Sequence, residues 1–171
     1  MNIRTFTCED YPVLEELLYE AIYQHEASSP LPREIIKEPA LYAYIDGFGT
    51  GKADQCFVAE EGQGVGEERG VEGEQVVMGA VWVRIIASPV RGYGYVDEET
   101  PEFAIALFPA YRNGGIGTEL MRRMIEDLRL RGYRQTSLSV DKKNYAVRMY
   151  LKLGFEVVEE REHDFLMLLK L

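Results

Sequence analysis

The stretch "YRNGGIGTEL", residues 111–120, sets three glycines into four positions and then runs directly into a helix-forming sequence. Inside a helix, each of Gly114, Gly115 and Gly117 would cost about 1 kcal/mol relative to alanine. Together that is roughly 2–3 kcal/mol, set against a domain stability of about 5–15 kcal/mol. Asn-Gly pairs commonly mark a hairpin, but a hairpin needs an alternating strand on its far side. Here "IGTELMRRMIEDLRL" instead places Ile116, Leu120, Met121, Met124, Ile125 and Leu128 at helical spacing, ending at Gly132. A plain strand-to-helix loop needs one such glycine for a positive φ, not three. The first turn of a helix carries unpaired N–H groups and a partial positive charge, and stripping side chains there lets an anion reach them. Residues 112–118 therefore read as a phosphate or pyrophosphate cradle, with a structural turn as the alternative.

Two common phosphate motifs do not fit. A Walker A loop needs G-x-x-x-x-G-K-[ST], and neither "GTELM" nor "DGFGTGKA" at 46–53 supplies it. The dinucleotide fingerprint is not met by "GQGVGEE" at 62–68, which no helix follows.

The remaining elements alternate between the two periods. "NIRTF" reads as a strand, and "YPVLEELLYEAI" as a helix with Val13, Leu14, Leu17, Leu18, Ala21 and Ile22 on one stripe and Asp10 as its cap. From Gln24 to Lys52, Pro30, Pro32 and Pro39 break the chain into short helices and loops. "QCFVAE", "QVVMGAVWVRII" and "TPEFAIALFP" read as strands, and "EGQGVGEERGVEGE" as a mobile hairpin tip. After the glycine segment and its helix come "QTSLSV" as a strand, "NYAVRMYLKL" as a helix, and "FEVVEE" and "DFLMLLKL" as two closing strands. With no internal repeat, the 171 residues read as one mixed α/β domain.

Charge and composition exclude some functions. A net charge of -10 opposes nucleic-acid binding, which needs a basic footprint. Cys8 and Cys56 form neither a metal-ligand spacing nor a disulfide framework. The N-terminus lacks the apolar core of a signal peptide, and "VVMGAVWV" falls far short of the ~20 residues that span a membrane. A cytoplasmic protein without membrane or nucleic-acid partners is expected. The oligomeric state is not legible, although a homodimer is compatible with the sequence.

Arg112, Asn113, Gly114, Gly115, Ile116 and Gly117 meet the pattern R/Q-x-x-G-x-G/A, after a strand and before an amphipathic helix. A second block, "LSVDKKNYAVRMYLKLGFEVV" at 138–158, joins a strand, an asparagine, a tyrosine-bearing helix and a closing "GF". Together these segments resemble the GNAT superfamily of acyl-CoA-dependent N-acyltransferases across roughly residues 101–158. The resemblance implies a GNAT fold: a central, mostly antiparallel mixed sheet of about seven strands with about four helices, its splayed strands forming the acyl-CoA cleft.

The same resemblance implies roles. The backbone of Ile105, Ala106 and Leu107 would hold the pantetheine arm of acetyl-CoA, with the Leu107 N–H polarising the thioester carbonyl. The N–H groups from Arg112 through Asn113, Gly114, Gly115, Ile116 and Gly117 to Thr118 would take the pyrophosphate. Asn144 would contact the cofactor arm, although it stands six residues before the tyrosine where other members place it seven before; an N-cap role is equally open. Tyr150 matches the general acid that protonates the departing thiolate. For the general base, Ser139 occupies a position where some members carry a glutamate, and Glu102 stands one position from another such glutamate. Strand alternation turns Glu102 to the other face unless a bulge intervenes; it is nonetheless the candidate base.

No metal is implied. The acceptor implied is a small-molecule amine or a peptide or protein amine, with Tyr42, Tyr44, Tyr93, Tyr95, Asp97, Glu98 and Glu99 as an aromatic and acidic lining. The expected activity is acetyl transfer to a primary amine by direct attack in a ternary complex. The alternative is a non-catalytic acyl-CoA-binding sensor or interaction module.

Overall fold

The computed structural model describes residues 1–24, 29–61, 76–86 and 89–171. The expected hairpin tip, beyond Glu61, lies outside the described residues. The chain forms strand β1 (Asn2–Thr5), helix α1 (Tyr11–Ala21), a short helix α2 (Pro39–Tyr42), then strands β2 (Gln55–Glu60), β3 (Val77–Arg84) and β4 (Glu102–Leu107). Helix α3 (Ile116–Leu130), strand β5 (Gln135–Asp141), helix α4 (Val147–Lys152) and strands β6 (Glu156–Glu160) and β7 (Asp164–Lys170) follow.

The seven strands make one sheet in the order β1-β2-β3-β4-β5-β7-β6. Every neighbouring pair is antiparallel except β4 with β5, which is parallel. Strand alternation gives the sheet two apolar faces. On one face, Phe57, Val81, Val83, Phe103, Leu138 and Met167 pack under the α3 stripe of Leu120, Met121, Met124, Ile125 and Leu128, with Tyr150 of α4. On the other, Cys56, Val58, Ala80, Trp82 and Ala106 pack against Leu14, Leu17 and Leu18 of α1 and against Tyr44, Ile45 and Phe48. Helices thus cover both faces of β3 and β4, so "VVMGAVWV" is apolar at nearly every position without being a membrane span. No helix among the described residues is long and apolar enough to cross a membrane.

Asp10 does not cap α1 through its side chain. Its carboxylate accepts instead from Arg4, at 2.6 and 2.7 Å, and from the Thr7 N–H at 2.7 Å. Arg4 also donates to Glu60 at 2.6 Å. This ion-paired network ties β1 to the entry of α1 and holds the Asp10 carboxyl below the usual carboxylate range, with Arg4 the main cause. Between Gln24 and Lys52 the proline-broken stretch resolves into a 3-10 helix at Arg33–Lys37 and the one-turn α2.

Candidate active site

The site begins with a defect in the sheet. β4 and β5 are paired only at Glu102 and Ser137. β3 meanwhile pairs β4 over its whole length, and β7 does the same for β5. Beyond Glu102 the two central strands part, leaving one edge of β4 free inside the domain. A gap of this kind exposes backbone donors and acceptors that an extended ligand can pair as a strand would.

The gap opens into a cleft of about 860 Å³. Ile105, Ala106 and Leu107 line it from β4; Arg112, Asn113, Gly115, Gly117 and Thr118 line it from the glycine segment; Asn144 and Tyr150 line it from the far side. Gly114 and Ile116 belong to the same segment but do not line the cleft, and Glu102 stands apart from it.

The glycine segment is built as an anion cradle. Asn113 and Gly115 both adopt left-handed backbone, at φ 65° and 84°. Asparagine tolerates that region and glycine is at home in it. The Arg112 N–H is committed to the Pro109 carbonyl at 3.3 Å, but the N–H groups of residues 113–118 find no partner among the described residues. Six consecutive donors at the mouth of a 15-residue helix make a concentrated positive potential. Gly114 needs no positive φ, and a Cβ there would meet nothing within 4 Å. Neither packing nor backbone geometry explains its missing side chain, and its unpaired N–H belongs to the same run of donors.

Tyr150 is buried and packs edge-on against Phe155, with ring centroids 6.0 Å apart. Burial raises its phenol well above the ordinary tyrosine value, with Tyr145 adding to the shift. The group therefore stays protonated throughout the neutral range and keeps a proton to donate. Asn144 accepts the Ala146 N–H at 2.9 Å, which forms the turn into α4, and the residue also lines the cleft. The N-cap of α4 is Ala146, with no side-chain cap, so Asn144 shapes the turn before the helix instead of capping it.

Glu102 is 2% exposed. The β3–β4 register runs without a bulge, so Glu102 lies on the α1 face together with Ala104 and Ala106. Gly92 packs directly on its carboxyl, the Gly94 N–H donates to it at 3.3 Å, and the Tyr44 hydroxyl hydrogen-bonds it. Burial pushes this carboxyl up to about 7, against the opposing pull of Tyr44, Gly94 and Arg161. Ser139 donates to Asp164 on β7 at 2.6 Å. Of the expected aromatic and acidic lining, Tyr44 is buried and stacked on Tyr93, Tyr42 bonds Glu15, and Asp97 is turned inward on Glu99 and Gln135. Among the described residues no cluster of three or more His, Cys, Asp and Glu side chains could hold a metal.

Several residues of the site are silent in the sequence. Tyr19, Glu20, Ile22, Tyr23 and Gln24, around the end of α1, roof the cleft, and Tyr145 and Met149 line it from α4. The Tyr23 hydroxyl bridges to the Lys143 carbonyl at 3.1 Å. Gly79 on β3 faces Leu107, and a Cβ there would collide with the Leu107 side chain and the Ala106 carbonyl. It is what lets β3 approach the cleft end of β4 so closely. The only available signal was a glycine inside a strand, which often marks close backbone approach.

A parted β4–β5 pair, a glycine-rich helix mouth beside it and a buried tyrosine across the gap define a class of acyl-transfer enzyme. The acetyltransferase (GNAT) family matches this chain over residues 19–155. The chain belongs to that family and is an acetyl-CoA-dependent N-acetyltransferase. It is 34% identical over 128 residues to the thialysine N-epsilon-acetyltransferase of Mus musculus, covering 74% of this chain and 69% of that protein. It is 28% identical over 162 residues to the mycothiol acetyltransferase of Saccharomonospora viridis, covering 93% of this chain but only 47% of that longer protein. In fold it resembles the PaiA N-acetyltransferase of Thermoplasma acidophilum, solved in complex with coenzyme A, with a TM-score of 0.65 and 22% identity over 99% of this chain and 98% of that one.

Proposed function

We propose that the chain moves the acetyl group of acetyl-CoA to a primary amine by direct attack in a ternary complex, with the β4–β5 gap as the place of reaction. The observation that carries this reading is the juxtaposition of the unpaired amides of Asn113, Gly115, Gly117 and Thr118, the free edge of β4 and the buried Tyr150 around a single cleft. The PaiA structure, solved with coenzyme A, supports a ligand of that class for this chain. The mouse relative, named for the N-epsilon of thialysine, supports a small primary amine as acceptor.

In this reading the amides of residues 113–118 take the pyrophosphate and the Ile105–Leu107 backbone pairs the pantetheine arm. The Leu107 N–H donates to the thioester oxygen as it gains charge; one such donor is worth about 3 kcal/mol. The amine nitrogen attacks the carbonyl carbon, the C–S bond breaks and the thiolate takes the Tyr150 proton, while the second proton that the nitrogen sheds in becoming an amide returns to Tyr150 through water. An alkylammonium of pKa ≈ 10 must lose a proton before attack. Glu102 is too enclosed to touch the amine and neither it nor Tyr44 lines the cleft, so in this reading it takes the amine's proton through intervening water. The value of about 7 suits that task near neutral pH.

The test is free-thiol release from acetyl-CoA across a panel of primary amines, recorded against pH for the wild type and Glu102→Gln. The expected profile has an acidic limb near pH 7 that the variant loses, with a rate loss of about 10²-fold or more. An unaltered profile in Glu102→Gln would mean that the proton leaves to bulk water and that Glu102 is structural.

A further inference from the structure

Among the described residues, two charged side chains line the cleft, Glu20 and Arg112, and they are paired with each other. The Arg112 Nη2 meets the Glu20 Oε2 at 2.7 Å, while its Nε donates to the Leu107 carbonyl at 3.0 Å. The guanidinium is thus folded back onto the end of β4 and the end of α1. Glu20 stands in the last turn of α1, where the helix dipole disfavours an acid and where α1 carries no basic residue. By helix preference alone Glu20 is misplaced, and Arg112 is the charge that offsets it.

We propose that Glu20 is a displaceable counter-ion for Arg112 that sets how tightly the cofactor's phosphates are held. The inference rests on the acetyl-CoA reading of this cleft. A pyrophosphate seated on the amides of residues 113–118 arrives beside Arg112, the one cation lining the cleft among the described residues, and that cation is already engaged. Binding then requires either surrender of the 2.7 Å ion pair or tolerance of a carboxylate close to the phosphates. Either way Glu20 weakens the complex. Among the described residues no other cation lines the cleft to dilute the effect. Glu20 acts through Arg112 and does not touch the reacting atoms, so it is a positioning residue. Its consequence is a cofactor site that holds acetyl-CoA loosely enough for the CoA product to leave.

The experiment is calorimetric titration of wild type, Glu20→Gln, Arg112→Ala and the double variant with three probes: acetyl-CoA, inorganic pyrophosphate and S-acetyl-pantetheine, which lacks phosphates. Glu20→Gln should tighten acetyl-CoA about threefold to tenfold and tighten pyrophosphate in parallel, leaving S-acetyl-pantetheine unchanged. Arg112→Ala should cost more affinity in the Glu20→Gln background than in the wild type, because the arginine is fully available only there. Unchanged or weaker acetyl-CoA binding by Glu20→Gln would overturn the proposal, as would equal tightening of S-acetyl-pantetheine. Failure of the wild type to bind acetyl-CoA at all would instead overturn the reading on which it rests.

Discussion

Glu102 and Ser137 are the one residue pair that joins β4 to β5, and the divergence of the two strands beyond them creates the cleft. The closure is reinforced from outside the sheet. The Ser137 N–H and Thr136 hydroxyl both bond the Pro101 carbonyl, at 3.1 and 2.7 Å, and the Ser137 hydroxyl donates to Gly94 at 2.6 Å. A parallel pair this short would be weak alone, so these bonds fix the point from which the strands part.

The glycine segment separates ligand approach from backbone strain. Gly115→Val places a β-branched side chain at φ 84°, which strains the backbone whatever binds there. Gly114→Val carries no such penalty and meets open space. Gly114→Val should therefore melt within a few degrees of the wild type while weakening acetyl-CoA by roughly tenfold or more. Thermal melts with calorimetric titration check this, and retained affinity in a folded variant would remove Gly114 from the anion cradle.

Gly79 should be intolerant for the opposite reason. An added Cβ meets protein atoms, among them the Leu107 Cα at 2.9 Å. Overpacking of this kind costs about 1–3 kcal/mol. Gly79→Ala should lower stability in urea by about that amount and also weaken acetyl-CoA, because β4 must shift at Leu107. A variant as stable as the wild type with unchanged affinity would show that β4 yields freely.

Glu102 makes stability depend on pH in a defined window. Its carboxyl titrates at about 7 when folded, against 4.5 for an unperturbed group, so the folded state holds this proton more tightly than the unfolded chain. Below pH 4.5 the group is protonated in both states and costs nothing; above 7 it is ionised in both and the cost is complete, at about 3 kcal/mol. Stability from this group therefore falls as pH rises from 4.5 to 7. The depressed carboxyls of Asp10 and Asp97 act below this window, since their folded values lie under 3.8. Wild type should lose more melting temperature than Glu102→Gln between pH 5 and pH 8. Parallel losses would mean that Glu102 is no harder to ionise when folded.

Much of the fold was written locally. The α3 stripe, the apolar β3 and the turn glycines Gly132 and Gly154 each follow from residues close in sequence, and both glycines adopt positive φ as helix ends require. The phosphate cradle was legible for the same reason, since a run of glycines before a helix carries its own explanation. The missed parts are long-range. Glu20 reads as one more acid on a polar helix face, and only packing brings it to Arg112, 92 residues later. Glu102 was expected on the wrong face for direct contact, as it is, but its enclosure by Tyr44, Gly92 and Gly94 depends on a loop that periodicity does not describe. Asp10 satisfied every local rule for a cap and was taken instead by Arg4, because a charged bidentate partner outweighs a neutral N–H.

Tyr150 carries the central chemical claim. Its replacement by phenylalanine keeps the ring contact with Phe155 and removes only the hydroxyl proton. The most direct measurement is the release of free CoA thiol from acetyl-CoA, with and without primary amines, for wild type and Tyr150→Phe. The expected result is amine-dependent release by the wild type, with kcat lowered about 10²-fold in the variant and acetyl-CoA affinity little changed. If acetyl-CoA binds but no amine raises release above the amine-free rate, or if Tyr150→Phe turns over as fast as the wild type, the mechanism assigned to this cleft is contradicted.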